Sequence, residues 1–268
     1  MKFCRIFLKV PQFCLTVGFC ALAYAGQQDI RTGLVEMQNA IVPQSAQAAL
    51  VEKLVQSLDS YEAIQNYEAI FYKTESEGGK LETTEKIFLK FEKPFKIFMK
   101  WLNTAKDGLQ VLYERGHHDG KLVIHKPGLF FGLVPVVFLD PSSPWVREGS
   151  ASYNIEDAGI GTFLNDTAKA VLCAFRENKL RVRLHGRTHR RFEVAFPGSK
   201  KGSEYFAYRI VLLFDKDASV PVRMMLFDWN GKLMGVYFYK NLKINVADDS
   251  VFKKHAQNQL FKIYKHIE

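Results

Sequence analysis

The chain has 268 residues, 47% of them hydrophobic, with 37 Lys and Arg against 28 Asp and Glu. A chain of this size buries roughly 70% of its unfolded surface on folding, so a core alone can hold it together. A disulfide framework is excluded: three of the four cysteines lie in the first 20 residues and only Cys173 remains in the body of the chain.

The first residues read as a targeting segment. Lys2, Arg5 and Lys9 form a basic start, Phe13 to Leu22 an apolar run, and Ala23-Tyr24-Ala25 a small-x-small cleavage site. The apolar run is too short for a membrane span. Cys20 follows Phe19, where a lipoprotein signal wants a small residue. Residues 1–25 are therefore expected to be a cleavable signal peptide, which places the protein in the periplasm and argues against a nucleic-acid partner. Cleavage leaves 34 basic against 28 acidic residues, a net charge of +6. Basic residues recur at strand positions: Lys86, Lys90, Lys96, Lys100, Arg181, Arg183, Arg190 and Arg191. They suit either an anionic surface such as lipid headgroups or a solvated face kept soluble by charge.

Residues 26–45 are mixed and polar and read as a flexible leader; 46–268 reads as a single domain. Ala46 to about Ser60 has apolar residues at helical spacing (Ala49, Leu50, Leu54, Val55, Leu58), an amphipathic helix. From Tyr67 the period falls to two. Ala69 and Phe71 mark a first strand, Ile87, Leu89 and Phe91 a second, and Ile97, Met99 and Trp101 a third. Glu77 to Lys80 is a turn, and Lys93-Pro94 breaks the second strand, because proline cannot donate to the ladder. Leu109 to Tyr113 and Leu122 to His125 follow, joined through Asp119-Gly120. One face of this meander is apolar and the other half charged, the pattern of an antiparallel sheet wet on one side. Leu129 to Leu139 is strongly apolar but holds Pro135, which suits an edge strand, a buried crossing segment or a flap.

A second helix is expected from about Phe163 to Asn178, with Thr162 or Asn165 as its cap. Strands resume at Leu180 to Leu184, Phe192 to Phe196 and Tyr208 to Val246. The last stretch is three or four strands, with Asn230-Gly231 suited to a two-residue primed turn. Val251 to Gln259 suits a short final helix.

No catalytic constellation emerges. His185 and His189 fall in a hairpin among arginines, which disfavours a metal cation; His117-His118-Asp119-Gly120 is a turn. Gly159-Ile160-Gly161 lacks the parallel βαβ unit and the Gly-Lys-Ser/Thr sequence of a phosphate loop, so its glycines are read as permitting a tight helix start. No Gly-x-Ser-x-Gly occurs. No catalytic residue, metal or cofactor is expected. What stands out is the aromatic content, 22 Phe, 11 Tyr and 3 Trp, much of it on alternating strands.

Two blocks resemble known families. Phe91 to Lys126 (FEKPFKIFMKWLNTAKDGLQVLYERGHHDGKLVIHK), with the Asp140-Pro141 loop and the Gly159-Ile160-Gly161 helix start, resembles a bacterial family of exported proteins defined only as a domain of unknown function. Phe214 to Phe252 resembles the C-terminal half of the LolA-like periplasmic lipoprotein carriers, of which the first family looks like a distant branch. The resemblance covers about residues 46 to 255. It implies a mostly β (α+β) fold, a half-open antiparallel barrel of about eleven strands with helices covering the concave face. It also implies a non-catalytic carrier or binding protein for a lipid or acyl-bearing ligand in cell-envelope upkeep. Where the carriers have an arginine that latches a helical lid, this chain has Lys93, which lacks the planar fork of donors. On this reading Ile87, Leu89, Phe91, Ile97, Met99 and Trp101 are cavity wall, and Phe163 and Val171 lid; ordinary core is the alternative for all eight. Two other readings stay open: an envelope interaction or assembly module with a filled core and a protein partner, and an enzyme acting on an envelope lipid or glycan.

Overall fold

The computed structural model describes residues 29–77, 79–103, 106–125, 136–143, 155–186, 190–197 and 205–247. The expected signal peptide, most of the Leu129 to Leu139 run, His189 and the final helix expected at Val251 to Gln259 lie outside the described residues. The chain forms two compact units, each built from two segments: Met1–Tyr61 with Ile160–Met234, and Glu62–Gly159 with Gly235–Glu268. The elements are mostly β, with twelve strands and three longer helices among the described residues. Eleven strands match the expected number, and the two-residue β2 (Lys80–Leu81) is the twelfth. No described helix is long and apolar enough to cross a membrane.

The first unit holds helix α1 (29–40), α2 (Ala46–Ala63, its last residues in the other unit) and α3 (Ile160–Arg176). It also holds strands β8 (Arg181–His185), β9 (Arg191–Ala195), β10 (Arg209–Phe214) and β11 (Pro221–Phe227). These four strands pair antiparallel in sequence order. One face of β9, β10 and β11 is core, with Phe192, Val194, Ile210, Leu212, Phe214, Val222, Met224 and Leu226 all buried.

Helix α1 overturns the expectation of a flexible leader within 26–45. Ile30, Leu34 and Met37 are buried at a spacing of three to four residues, a stripe along one helical face, and Ile41 just past its end is buried too. Arg31 Nε pairs with Asp59 Oδ1 of α2 at 2.6 Å. Helix α2 starts where Ser45 Oγ accepts the Ala48 amide proton (3.1 Å), the geometry of an N-cap. Ser57 Oγ donates to the Ser219 carbonyl. Helix α3 begins at Ile160, so Thr162 and Asn165 lie inside it and neither is its cap. In its first turn Gly161 lets the Tyr61 ring come against the backbone: a Cβ there would stand 2.3 Å from the ring. The helix ends with Asn178 at φ 56° and the Lys179 amide donating to the Ala174 carbonyl (2.9 Å), a left-handed C-terminal cap.

The β11–β12 connection also differs from expectation. Asp228 Oδ1 accepts from the amides of Asn230 (2.9 Å) and Lys232 (2.8 Å), and the Gly231 amide donates to the Asp228 carbonyl. Gly231 is at φ 76° while Asn230 stays at negative φ. The loop is thus a four-residue turn organised by Asp228, not a two-residue primed turn.

The second unit is a meander of β1 (Asn66–Glu77), β2, β3 (Glu85–Glu92), β4 (Lys96–Trp101), β5 (Gln110–Glu114), β6 (Leu122–His125) and β7 (Val137–Leu139), with most of β12 (Leu233–Ile244). The pairing order is β7-β6-β5-β4-β3-β1-β12, all antiparallel, with β2 on β1 and β7 at the edge. Among the described residues Val137–Leu139 is therefore an edge strand, one of the three roles left open for its run. The expected wet face is not wet throughout. Phe98, Leu112, Val123 and Val136 form a buried cluster on it, with Phe88 and Phe138 packed against them. Lys90, on the same face and opposite Glu68 in register, is 1% exposed.

Candidate ligand-binding face

Alternation in the second unit places residues of odd number on β1, β3, β4 and β5 on one face, and strand register aligns them in rows. Tyr67, Phe91, Ile97 and Tyr113 make one row; Ala69, Leu89, Met99 and Val111 the next; Tyr239, Phe71, Ile87 and Trp101 a third. Of these only Trp101 is more than 9% exposed. Ile87, Leu89, Phe91, Ile97, Met99 and Trp101 are thus brought together as three directly opposed cross-strand pairs. Such pairs are the unit of stabilisation in a sheet.

The face is more aromatic than those six residues suggest. Tyr67 stacks on Phe91 at 5.1 Å, Phe91 meets Phe95 edge-on at 5.4 Å, and Phe95 meets Tyr113 at 5.9 Å. In the other direction Tyr67 meets Tyr239 at 6.3 Å and Tyr239 meets Phe71 at 4.7 Å. Offset and edge contacts of this kind are worth about 1 kcal/mol each beyond the area they bury. Gly159 closes over this band: a Cβ there would lie 3.1 Å from Tyr67 Oη, and its φ of 112° suits glycine. Tyr113 donates to Glu156 Oε1 at 2.6 Å; burial and that bond push its phenol up to about 12.

Beyond the Phe71–Ile87 row the same face turns charged. Lys73 Nζ lies 3.0 Å from Glu75 Oε2 and 4.0 Å from Glu85 Oε2. Lys106 Nζ holds Glu85 Oε1 at 2.5 Å, and Tyr237 Oη donates to Glu75 Oε1 at 2.9 Å. The side chains of Lys73, Glu75 and Glu85 are 13–15% exposed, so these charges interact more strongly than surface pairs do. The Trp101 indole Nε1, in the adjacent row, is buried and has no hydrogen-bond partner among the described residues. Sequence reasoning missed Tyr67, Tyr239 and the charged end. The alternation of Tyr67, Ala69 and Phe71 carried the signal for the first; the ion pairs needed the register.

Phe163 and Val171 lie on α3, in the first unit. Phe163 packs edge-on against Phe206 at 6.0 Å, and Val171 is fully buried. At the β3–β4 turn the Lys93–Pro94 bond is cis. The Lys93 amide donates to the Gln65 carbonyl (2.8 Å), and its Nζ to the Glu62 carbonyl (3.1 Å) in the last turn of α2, where helix carbonyls lack intrahelical partners. Burial lowers the Lys93 pKa, against a smaller raising effect of Glu62.

Other clefts and clusters offer less. A cleft of about 140 Å³ lined by Gln47, Phe175, Asn178 and Leu180 is well under the volume of ordinary ligand pockets. No group of three His, Cys, Asp or Glu side chains placed to hold a metal occurs among the described residues. His185 faces Glu193 (3.6 Å) and His117 faces Glu114 (3.5 Å). Asp215 serves its turn, accepting from the amides of Asp217 and Ala218.

The fold is that of a mostly β, antiparallel chain with helices. Residues 64–261 match the family described as "Protein of unknown function (DUF1571)", and the chain belongs to that family. No curated protein matches it. Among solved structures it is similar to a DUF1329 family protein from Desulfovibrio piger, at 15% identity and TM-score 0.39, over 78% of this chain and 98% of that one. It is also similar to a LolA superfamily protein from Nitrosomonas europaea, at 10% identity and TM-score 0.37, over 76% and 97%. A third is the lipoprotein LppX of Mycobacterium tuberculosis, at 10% identity and TM-score 0.41, over 75% and 97%.

Proposed function

We propose that the protein is an exported, non-catalytic carrier or binding protein for a lipid or other acyl-bearing ligand in the cell envelope, reaching the periplasm by a signal peptide over residues 1–25. One observation carries the reading. A face three side chains deep and four to five strands wide is apolar and largely aromatic, and it ends in an ion-pair cluster rather than in more apolar residues. An amphiphile has that division: a chain for Ile87, Leu89, Phe91, Ile97 and Met99, and a polar group for the end where Lys73, Glu75, Glu85 and Lys106 meet. The indole N–H of Trp101, at the junction, is a donor for an ester or carboxylate oxygen. Burying an acyl chain contributes about 0.8 kcal/mol per methylene, so no charged anchor is needed for useful affinity. Phe163 and Val171 are assigned no role in this binding.

The test places the ligand against Trp101. A variant with Trp145→Phe and Trp229→Phe keeps Trp101 as its one indole. A fatty-acyl probe brominated along its chain is expected to quench that fluorescence saturably, and the unbrominated chain to relieve the quenching by competition. Quenching that never saturates, or none, sinks the reading.

A further inference from the structure

The face of the β8–β11 sheet opposite the core is a grid of twelve positions fixed by register. Arg181, Ala195, Arg209 and Phe227 form one row; Arg183, Glu193, Val211 and Met225 the next; His185, Arg191, Leu213 and Arg223 the third. Five arginines and a histidine thus share the face with a single carboxylate. Glu193 is already engaged on three sides, with Arg183 Nη1 at 3.4 Å, Arg209 Nη1 at 3.3 Å and His185 Nε2 at 3.6 Å. Arg181, Arg183, Arg191 and Arg223 are exposed. A solvated sheet face is stabilised by pairing opposite charges across strands, and like charges on neighbouring strands cost free energy. Here one carboxylate serves three basic neighbours, and the positions opposite Arg181 and Arg191 in register hold Ala195, His185 and Leu213 and no carboxylate, so an anionic partner would balance the excess of positive charge.

The grid is also divided. Four of the six basic side chains lie on β8 and β9, while β10 and β11 contribute Val211, Leu213, Met225 and Phe227, of which the last three are half-exposed. The Arg209 guanidinium lies over the Phe227 ring at 3.7 Å, keeping a charge and an aromatic side by side. At strand and residue spacings the whole patch is about 14 Å on a side. Guanidinium forks match phosphate oxygens in pairs, and half-buried apolar side chains next to them suit the depth where headgroups meet acyl chains. We propose that this face docks on an anionic lipid surface, the arginines on phosphate groups and Leu213, Met225 and Phe227 at the boundary below them. The docking is independent of whether the second unit holds an acyl chain.

The experiment is co-sedimentation of the full chain with phosphatidylcholine vesicles, with and without phosphatidylglycerol. Binding is expected with phosphatidylglycerol alone and is expected to fall as salt is raised. Each arginine near a charged bilayer contributes about a fivefold factor in binding. The triple variant Arg181→Gln, Arg183→Gln, Arg191→Gln should therefore bind about a hundredfold more weakly. A triple with the same charge loss elsewhere, Lys100→Gln, Lys169→Gln, Lys240→Gln, should bind within a few fold of the parent. Should the arginine triple fail to fold by circular dichroism, Arg181→Gln alone still reads out its fivefold loss. Absent binding to phosphatidylglycerol vesicles overturns the proposal. So does an equal loss in both triples, or tighter arginine-dependent binding to duplex DNA or to an acidic peptide than to the vesicles.

Discussion

Truncating Phe91 to alanine is expected to cost about 4 kcal/mol of stability, read as a fall in the urea midpoint. Phe91 is 3% exposed, sits directly opposite both Tyr67 and Ile97, and touches the Tyr67 and Phe95 rings. Its removal loses the transfer free energy of the ring and leaves a hollow lined by rings that cannot all collapse into it. Phe91→Leu keeps most of the apolar volume and should cost less than half as much. A loss below about 1 kcal/mol for the alanine variant would mean that Phe91 does not pack as described.

Gly161→Ala is expected to destabilise although alanine is the better helix former. Propensity favours the substitution by about 1 kcal/mol in a helix interior. Against it, the new Cβ would stand 2.3 Å from Tyr61 Cε1 and Cζ, and Tyr61 is itself only 8% exposed, so its ring has nowhere to turn. Overpacking a filled site costs about 1–3 kcal/mol and occasionally more, so the clash wins. We expect a net loss of about 2 kcal/mol, a fall of roughly 4–8 °C in melting temperature. Tyr61→Leu in the same chain should recover part of it. A rise in melting temperature for Gly161→Ala would show that propensity governs the site.

Those two residues illustrate what the sequence made legible. The alternation of Ile87, Leu89 and Phe91 and of Ile97, Met99 and Trp101 placed six residues on strands, and the hairpin through Lys93-Pro94 set them opposite one another. Period-two patterning is local, so it survives the absence of a structure. The glycines of Gly159-Ile160-Gly161 were legible as a tight helix start, but the ring that makes Gly161 necessary comes from α2, about a hundred residues earlier in sequence. Helix α1 was missed although its stripe is present. Arg31, Thr32, Gly33, Glu36, Gln38 and Asn39 surround Ile30, Leu34 and Met37, and a glycine in mid-helix argues against one. In the fold Gly33 makes room for Leu172, with 3.2 Å from a notional Cβ to its side chain.

The buried second face of the meander was illegible for another reason. Phe88, Phe98 and Val123 share their face with lysines, and Leu112 with Gln110 and Glu114, so they read as exposed positions; part of what buries them, Val136 and Phe138, comes from a segment whose pairing the pattern could not fix. Likewise the turn at Asn230-Gly231 satisfied a local rule, but Asp228 offered two amides a better acceptor. The charged end of the candidate site is tertiary altogether. Lys73 and Glu85 meet only because β1 and β3 are in one register, and Lys106 arrives from the β4–β5 loop.

The central claim, that the aromatic face holds an acyl-bearing molecule, is tested most directly by native mass spectrometry of the protein purified from its own cells without detergent. The account predicts a bound mass of a few hundred daltons or more, released on denaturation and identified as acyl-bearing by fragmentation, and lost or much reduced in a Leu89→Arg variant that still folds. A chain that flies only at its own mass, and takes up no fatty-acyl compound when offered one, contradicts it.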